Sequence, residues 1–405
     1  MEEWKLTKIG SLCKRVCSGG TPKSTVEEYY GGGIPWLNTK EVNFNRIYST
    51  ESTISESGLK NSSAKWIDKH SVIVAMYGAT AAKCAIGMIP MTTNQACCNL
   101  MIDEGTADYR FVYYALRNAY LTLASLANGG AQQNLNAQLI KDFEIPLPDL
   151  QTQHRIADIL STIDDKIENN NRINHNLEEQ AQALYKSWFI DFEPFKNGEF
   201  VDSQLGRIPK GWHVGTLSDL GGIIAGGTPS KAKSDYYTNH GIAWLTPKDL
   251  SVKCNKFTAR GETDITEDGY KNSSAKLMPR GSILFSSRAP IGYISIAKGD
   301  ICTNQGFKSV VPGYAGTAYL YYWLSAHTDA IETQASGSTF KEASGSLMKS
   351  FPAIVPKKSV LDSFEKELAP ILNEQEVLEE ETYHAEQIRN SLLPRMMSGE
   401  LVINC

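Results

Sequence analysis

The sequence lacks a hydrophobic segment of the kind that enters a membrane. No apolar run among its 405 residues approaches the roughly 18–20 residues that a membrane-spanning helix needs. The N-terminal sequence, MEEWKLTKIG, has neither the positively charged start nor the apolar core of a signal peptide. These absences predict a cytoplasmic protein that has no membrane partner.

The sequence also lacks the residue patterns of a metal site or a catalytic centre. Its eight cysteines include a CxxxC at Cys13 and Cys17, but no second pair or histidine cluster completes a zinc site. Free thiols in a reducing cell are the better interpretation. There is no amino-methylation motif (N/D-P-P-Y/F), no glycine-rich S-adenosylmethionine loop after a strand, and no His/Asp/Ser arrangement common to both halves. We therefore expect no catalytic residue, no metal and no cofactor, and a binding protein rather than an enzyme.

A net positive charge is also missing, which at first argues against nucleic acid as a partner. The formal net charge is −5. Residues 150–193 carry −4 and residues 359–405 carry −7, which leaves +6 on the rest of the chain. A DNA backbone interacts with the local charge rather than the total, so the remaining residues are compatible with DNA.

The most prominent features of the sequence are two long segments of a kind that an ordinary globular domain lacks. Residues 150–190 contain no Gly and no Pro, and apolar residues recur in an unbroken 4-3 spacing that is typical of a coiled-coil helix. Such a helix is about 60 Å long. Residues 360–397 have the same spacing, so each helix can supply the partner that the other needs. We expect Pro394 to end or kink the second helix.

The predicted seam positions of the first helix are Ile156, Leu160, Ile163, Ile167, Asn170, Asn174, Leu177, Ala181, Leu184 and Trp188. Those of the second helix are Phe364, Leu368, Ile371, Gln375, Leu378, Thr382, Ala385, Arg389, Leu392 and Met396. Asn170 and Asn174 cost stability at such positions and tend to fix the register of pairing.

The chain is an internal duplication. Four stretches recur in the same order at an offset of about 207–211 residues, and in each copy they lead into a long helix. One repeat is therefore a globular domain followed by a helix. The matched pairs are 19–42 with 226–250, 59–87 with 270–297, 92–100 with 302–310, and 129–148 with 336–356.

Each globular copy mixes strand and helix patterns. Short apolar runs at 71–77 and 282–286 predict buried strands, and residues 108–126 and 317–330 predict amphipathic helices. The predicted fold is α+β, with two similar globular domains and two long helices that form an antiparallel coiled coil about a pseudo-twofold axis. The predicted domains are 1–149, a first long helix at 150–193, a connector at 194–211, a second domain at 212–357, and a second long helix with a C-terminal tail at 358–405.

This order of domain, helix, domain and helix resembles the specificity (S) subunit of type I restriction–modification enzymes. The resemblance covers nearly the whole chain and rests on GGTPKS with IPWLNTK, SSRAPIG, TTNQ and CTNQ, IPLPDLQTQHRIADILSTIDDKIE, SWFIDFEPF and LLPRMMSGEL. It implies that each globular copy is a target recognition domain that reads one half of an asymmetric, bipartite site in double-stranded DNA.

The resemblance also implies the partners of the chain. Two methyltransferase (M) subunits would bind the helices, and restriction (R) subunits would join that complex. S-adenosylmethionine would be held by the M subunits and not by this chain. The alternative is a coiled-coil protein scaffold without DNA specificity.

The duplication separates scaffold residues from candidate base contacts. Two domains that read different sequences should share their scaffold and phosphate contacts and differ where bases are read. The loop at 77–83 differs in this way from the loop at 286–292, where Arg288 could form two hydrogen bonds to guanine. A phosphate clamp or a surface salt bridge are the alternatives for Arg288. A second differing pair is Gln132, Gln133 and Asn134 against Thr339, Phe340 and Lys341. Phosphate contacts or solvated side chains are the two interpretations of Lys23, Lys231, Ser24, Lys40 and Lys248.

The candidate DNA-contacting residues are Lys23, Ser24, Lys40, Tyr77, Thr80, Lys83, Gln132, Gln133, Asn134, Lys231, Lys248, Ser286, Ser287, Arg288, Thr339 and Lys341.

Overall fold

A computed structural model of the chain describes residues 4–128, 135–252, 255–337 and 341–401. The chain forms two compact units, one made of residues 1–167 with 384–405 and the other of residues 168–383. Each unit therefore contains one globular domain together with one half of each long helix.

The first unit is built around a mixed sheet. Its five-stranded sheet has the order Cys13–Ser18, Cys97–Ile102, Val72–Ala75, Cys84–Gly87 and Asn45–Ile47. A four-stranded sheet has the order Ser52–Ile54, Tyr30–Leu37, Met91–Thr93 and Trp66–Ile67, and Lys5–Lys8 pairs with Glu144–Leu147. The helices of this domain are Glu56–Lys60, Tyr109–Asn118, Tyr120–Asn128 and Ala137–Asp142.

The second unit repeats this arrangement. Its five-stranded sheet has the order Gly221–Ala225, Lys308–Pro312, Ile283–Ser287, Ile291–Ala297 and Phe257–Thr258. Two-stranded pairs join Tyr237–Thr238 with Asp264–Ile265, Trp244–Leu245 with Cys302–Thr303, and His213–Thr216 with Pro352–Val355. The helices are Leu217–Leu220, Pro247–Val252, Glu267–Lys271, Thr317–Gln334 and Gly345–Ser350. Within the predicted connector, Phe200–Ser203 and Gly206–Pro209 form a hairpin.

The predicted α+β fold and the internal repeat are confirmed by these matching sheets. Strand Val72–Ala75 explains the apolar run that predicted it. Val72 and Val74 point into one core cluster and Ile73 and Ala75 into another, and all four are fully buried. A strand that is buried on both faces has no polar side, so its sequence is apolar without alternation.

One predicted helix is divided in the structure. Residues 108–126 form two helices, Tyr109–Asn118 and Tyr120–Asn128, that meet at Ala119. The second domain has a single helix at the matching position, Thr317–Gln334. The prediction of one helix was therefore wrong for the first domain and confirmed for the second.

The two long helices run through both units. They are Leu150–Phe189 and Lys358–Met397, each of 40 residues. Pro394 was expected to end or kink the second helix; the helix continues past it to Met397, so Pro394 does not end it.

Within each unit the two helix halves run antiparallel. In the first unit, Ile156 and Leu160 share a core cluster with Leu393 and Met396, and farther along the first helix Asp164 Oδ1 accepts a hydrogen bond from Arg389 Nη1 at 2.7 Å. In the second unit, Asn170 Nδ2 donates to Glu381 Oε2 at 3.1 Å, and farther along the first helix Phe189 packs on Phe364 with ring centroids 4.8 Å apart. Positions rise along one helix as they fall along the other, which confirms the predicted antiparallel pairing.

The predicted seam faces inward, but the buried stripe is wider than the seam. The buried seam positions are Ile156, Leu160, Ile167, Asn170, Ala181, Phe364, Leu368, Gln375, Leu378, Arg389 and Met396, and the partly buried ones are Ile163, Asn174, Leu177, Leu184, Trp188, Ile371, Thr382, Ala385 and Leu392. Next to this seam Tyr185, Phe189, Leu361 and Leu372 are also buried. The extra width arises because each helix half packs both on its partner helix and on a globular domain.

A buried lysine fastens the second domain to both long helices. Lys256 Nζ donates to Glu178 Oε2 at 2.6 Å, to Gln375 Oε1 at 2.8 Å and to the Tyr322 hydroxyl at 2.5 Å. Burial lowers the pKa of Lys256 even though Glu178 opposes the shift. Burial by itself would raise the pKa of Glu178, but attraction to Lys256 and hydrogen bonds hold it below its ordinary value. Glu178 therefore counteracts the effect of burial on Lys256, and Lys256 favours the charged form of Glu178.

We expect Lys256→Met to lower the free energy of unfolding of the second unit by about 3 kcal/mol, because it leaves a partly buried carboxylate without its cation. Denaturant titration of the full-length protein measures the change. The control is Lys248→Met, whose partner Glu262 is as exposed as Lys248 itself, and which should change the free energy by less than about 0.5 kcal/mol. Equal effects of the two substitutions would contradict this role for Lys256.

Candidate DNA interface

Residues that are identical in the two repeats hold the loops of the first domain in place. The backbone N–H of Gly20 donates to Thr93 O at 2.8 Å, which joins the GGTP and TNQ segments. Trp36 Nε1 donates to Gly20 O at 2.9 Å, and the Tyr30 hydroxyl donates to Pro22 O at 2.7 Å. The side chains of Trp36 and Tyr30 therefore form their hydrogen bonds within the domain.

The second domain makes the same contacts with the matching residues. The Gly227 N–H donates to Thr303 O at 2.8 Å, Trp244 Nε1 to Gly227 O at 3.0 Å, and the Tyr237 hydroxyl to Pro229 O at 2.7 Å. The repeated geometry shows that these shared residues form the scaffold that positions the loops. Identical internal contacts cannot distinguish two DNA sequences.

Close packing explains the glycines of the GGTP segments. A Cβ atom at Gly19 would collide with the carbonyl oxygens of Thr93 and Asn94. A Cβ atom at Gly226 would collide with the carbonyl oxygen of Asn304 in the same way. Only glycine allows the two segments to approach this closely.

In the second domain the structure brings several predicted cations to one cleft. Lys231, Lys248 and Arg288 line a cleft of about 480 Å³ together with Trp244 and Asn304. These cations come from three distant parts of the sequence. Asp249 and Glu262 line the same cleft, and Lys248 Nζ lies 3.2 Å from Glu262 Oε2. The three cations exceed these two carboxylates by one charge, which favours an anionic ligand such as a DNA backbone or the acceptor edge of a base pair.

Arg288 is held at the rim of this cleft by a network that the sequence does not show. Its Nη1 lies 3.6 Å from Glu342 Oε2, and both side chains are more than one third exposed. Glu342 Oε1 accepts a hydrogen bond from Lys308 Nζ at 3.1 Å, and Lys308 is 8% exposed. The next residue, Ala289, has a φ of 50°, in the left-handed region, where residues other than glycine are uncommon and often mark functional loops.

The surface salt bridge considered for Arg288 is therefore present. It does not exclude contact with DNA, because an exposed pair with a 3.6 Å separation is worth about 0–1 kcal/mol. A bidentate contact with guanine is worth about 1–3 kcal/mol of discrimination. Guanine or phosphate can thus compete with Glu342 for the guanidinium.

The structure does not favour a direct DNA contact by Ser286 or Ser287. Both are fully buried. The Ser286 hydroxyl donates to Pro290 O at 2.9 Å, and the Ser287 hydroxyl donates to Gly306 O at 3.1 Å. Both serines belong to the buried end of the strand Ile283–Ser287. Their hydrogen bonds therefore shape the loop that presents Arg288.

The candidates of the first domain lie at or near the surface. Lys23 and Ser24 are exposed. Lys40 is exposed and lies 2.5 Å from Glu51, and the hydrogen bond and charge of Glu51 raise the pKa of Lys40. Glu51 therefore competes with any phosphate for this lysine, whereas Lys23 has no ion pair among the residues that the structure describes.

The loop at 77–83 is attached to a neighbouring segment of the first domain. The Thr80 hydroxyl donates to Thr39 O at 2.8 Å, and Lys83 Nζ donates to Asn43 Oδ1 at 2.7 Å. Tyr77 is partly buried and packs on the domain core. This loop and the segment that contains Lys40 therefore lie side by side.

The remaining candidates cannot be placed in the interface. Gln132, Gln133, Asn134 and Thr339 lie outside the described residues, whereas Lys341 is exposed.

Sequence reasoning missed Glu342 and Lys308. Lys308 begins the apolar strand Lys308–Pro312, and a lysine at an inward position of such a strand was the signal that could have found it.

Two kinds of feature are absent from the residues that the structure describes. Within them no helix is long and apolar enough to cross a membrane. The same part of the chain contains no group of three or more His, Cys, Asp or Glu side chains arranged to hold a metal ion.

Comparison with protein families places two matches on the chain. The family described as "Type I restriction modification DNA specificity domain" matches residues 1–179 and 209–376. These two matches cover the two repeats separately. The duplication inferred from the sequence is thus a duplication of one family domain.

Characterised relatives extend the likeness to the whole chain. The type I restriction enzyme MjaIX specificity subunit of Methanocaldococcus jannaschii is 27% identical over 99% of this chain and 94% of its own length. The type I restriction enzyme HindI specificity subunit of Haemophilus influenzae is 26% identical over 70% of this chain and 74% of its own length.

A solved structure has a similar fold. The crystal structure of the S subunit of a type I restriction–modification system from M. genitalium aligns with a TM-score of 0.63. The alignment covers 97% of this chain and 96% of that chain at 17% sequence identity. At this identity the likeness supports the fold alone.

Proposed function

The chain belongs to the type I restriction modification DNA specificity family, and we propose that it is the sequence-specific DNA-binding subunit of a type I restriction–modification enzyme. The observation that carries this proposal is the double match of one DNA specificity domain to two repeats. The clustering of Lys231, Lys248 and Arg288 in a single cleft supports it.

We propose that each domain binds one half of a bipartite site. The two domains share their scaffold contacts but differ at the loops 77–83 and 286–292, so the two half-sites should differ in sequence. Arg288 is the candidate for a base contact, and Lys23, Lys231 and Lys248 are candidates for phosphate contacts. The partition follows from the rule that backbone contacts position a protein whereas base contacts select the sequence.

The proposed partners are two methyltransferase subunits and the restriction subunits of the enzyme. The long helices would bind the methyltransferase subunits through their outer faces, and the acidity of residues 150–193 and 359–405 suits a protein partner better than DNA. S-adenosylmethionine and the catalytic groups would belong to the methyltransferase, and this chain would act in the cytoplasm without a cofactor or catalytic residue of its own.

A gel shift tests the proposal against the alternative of a coiled-coil scaffold without DNA specificity. The full-length chain, with its methyltransferase partner, is mixed with random duplexes and with duplexes enriched by repeated selection. We expect retention of the selected duplexes with an affinity at least about a thousandfold higher than that of random ones. Equal retention of both pools, or no retention, would contradict the proposal.

Arg288→Ala should impair recognition of one half-site only. Loss of a bidentate contact should reduce discrimination at one base pair by about 1–3 kcal/mol, whereas the other half-site keeps its preference. Binding to duplexes with single substitutions at every position measures the effect. Arg207→Ala, at an exposed arginine of the connector hairpin, is the matched control and should leave both half-sites unchanged.

A different pattern would assign Arg288 another role. If Arg288→Ala weakens binding equally for all duplexes and the base preference is unchanged, the side chain contacts phosphate. If it lowers thermal stability as well, Arg288 supports the loop structure through Glu342.

The length of the long helices should set the spacing between half-sites. We expect that seven residues inserted between 167 and 168 and seven more between 383 and 384 preserve the seam, because a heptad maintains the pattern of apolar positions. Both insertions lie at the boundaries of the compact units. They lengthen each helix by about 10 Å, which corresponds to about three base pairs of DNA.

The expected result is a recognised spacer about three base pairs longer, or loss of binding, with unchanged half-site sequences. Selection from random duplexes measures the spacer. Insertion into one helix alone is the control and should disrupt the pairing of the helices. An unchanged spacer in the double insertion would contradict the idea that the helices measure the distance.

A further inference from the structure

The longest run that is identical in the two aligned repeats has no role in the site described above. It is KNSSAK, at residues 60–65 and 271–276. In both domains it begins at the last residue of a short helix, Glu56–Lys60 or Glu267–Lys271, and continues as a surface loop.

Part of this identity has a structural cause. Asn61 Nδ2 donates to Ser57 O at 2.9 Å, which closes the end of the helix. The Ala64 N–H donates to the Ser62 hydroxyl at 3.2 Å, and Ala64 is buried. In the second domain Asn272, Ser273 and Ala275 make equivalent hydrogen bonds of 2.9 and 3.2 Å.

The two lysines of the run have no such cause. Lys60, Ser63 and Lys65 are exposed, and so are the matching Lys271, Ser274 and Lys276. Among the described residues no carboxylate lies within ion-pair distance of Lys60, Lys65 or Lys276. Lys271 has a single partner, Glu267 at 4.0 Å, and both side chains are largely exposed. Packing and ion pairing therefore do not explain why these lysines are the same in both domains.

The KNSSAK run packs directly on the GGTP segment in each domain. A Cβ at Gly20 would collide with the backbone of Ser63 and Ala64, and a Cβ at Gly227 would collide with the backbone of Ser274 and Ala275. The GGTP segment is itself hydrogen-bonded to the TNQ segment, as shown above. We name the resulting surface the shared patch, formed by residues 19–22, 60–65 and 93–95 in the first domain and 226–229, 271–276 and 303–305 in the second.

The shared patch adjoins the region in which the two domains differ. In the second domain Asn304, a member of the shared patch, lines the same cleft as Arg288 and Lys231. A ligand that reaches the variable residue Arg288 is therefore next to the TNQ segment of the shared patch. This arrangement suits a ligand with a constant part and a variable part.

A DNA duplex has such a composition, because its phosphodiester backbone is constant and its base edges vary. Each KNSSAK run carries two lysines and no acidic residue. Ser63 and Ser274 are exposed residues whose hydroxyls lie beside Gly20 and Gly227, and a serine hydroxyl can also donate to a phosphate oxygen. Lysine is well suited to this contact because its ammonium is a compact charge with three donors.

We propose that the shared patch of each domain binds the phosphodiester backbone of its half-site, with Lys65 and Lys276 as the principal cations and Lys60 and Lys271 as auxiliary ones. The proposal rests on the proposed DNA-binding function and adds a second, sequence-independent contact surface to it. The same phosphate contacts form in both half-sites, whatever their bases, and they orient each domain so that its variable loops reach the groove.

The double variant Lys65→Ala with Lys276→Ala tests this proposal in the full-length protein. Each lost phosphate contact should reduce the slope of log affinity against log salt concentration by about 1, so the double variant should lose about 2. Binding should weaken by the same factor for selected and random duplexes. A titration of both pools at several salt concentrations measures slope and selectivity together.

Two matched variants accompany this experiment. Lys5→Ala with Lys366→Ala removes one exposed lysine from each compact unit outside the shared patch and should leave the slope unchanged. Lys65→Arg with Lys276→Arg keeps the charges and should restore most of the slope. Circular dichroism of each variant confirms that the fold is maintained.

The outcomes separate this inference from the proposed function. If the unaltered chain binds selected duplexes preferentially but the Lys65/Lys276 double variant keeps its salt slope, the inference is wrong and the proposed function stands. If the double variant changes the base preference at one half-site, the run reads bases and the inference is again wrong. If the unaltered chain binds no duplex, both fail.

Discussion

The structure depends on the burial of one apolar stripe along each long helix. A helix of 40 residues cannot shield its apolar stripe from water by itself. Each helix buries one part of its stripe in the first compact unit and the other part in the second. Phe189 and Phe364 close the core of the second unit, as Leu160 and Met396 do in the first. Each globular domain therefore completes its core with side chains from both helices.

Polar contacts make this packing specific. In the first unit, Asp164 accepts hydrogen bonds of 2.7 Å from both the Tyr114 hydroxyl and Arg389 Nη1. In the second unit, Lys256 occupies the corresponding interface, and Glu365 accepts hydrogen bonds from the first backbone N–H groups of the helix Thr317–Gln334. Such groups are costly to bury unless paired, so they favour one arrangement of helix and domain over its alternatives.

Some residues are identical in the two repeats, and others differ between them. The GGTP and TNQ segments and the KNSSAK run form the same contacts in both domains, whereas Arg288, Glu342 and Lys308 have no identical counterpart in the first domain. A duplicated protein that recognises an asymmetric ligand needs this division. The constant part holds the position of the ligand, and the variable part can change without loss of the fold.

The sequence by itself determined the features that depend on local periodicity and on the repeat: two long helices, their antiparallel seam and two similar α+β domains. The tertiary structure alone decided which distant residues meet. It buried Ser286 and Ser287, joined Lys231, Lys248 and Arg288 in one cleft, paired Arg288 with Glu342, and continued the second helix beyond Pro394. Helical and strand periodicity reflects neighbours a few residues apart, whereas loop proximity depends on how sheets close over long sequence separations, which no local pattern encodes.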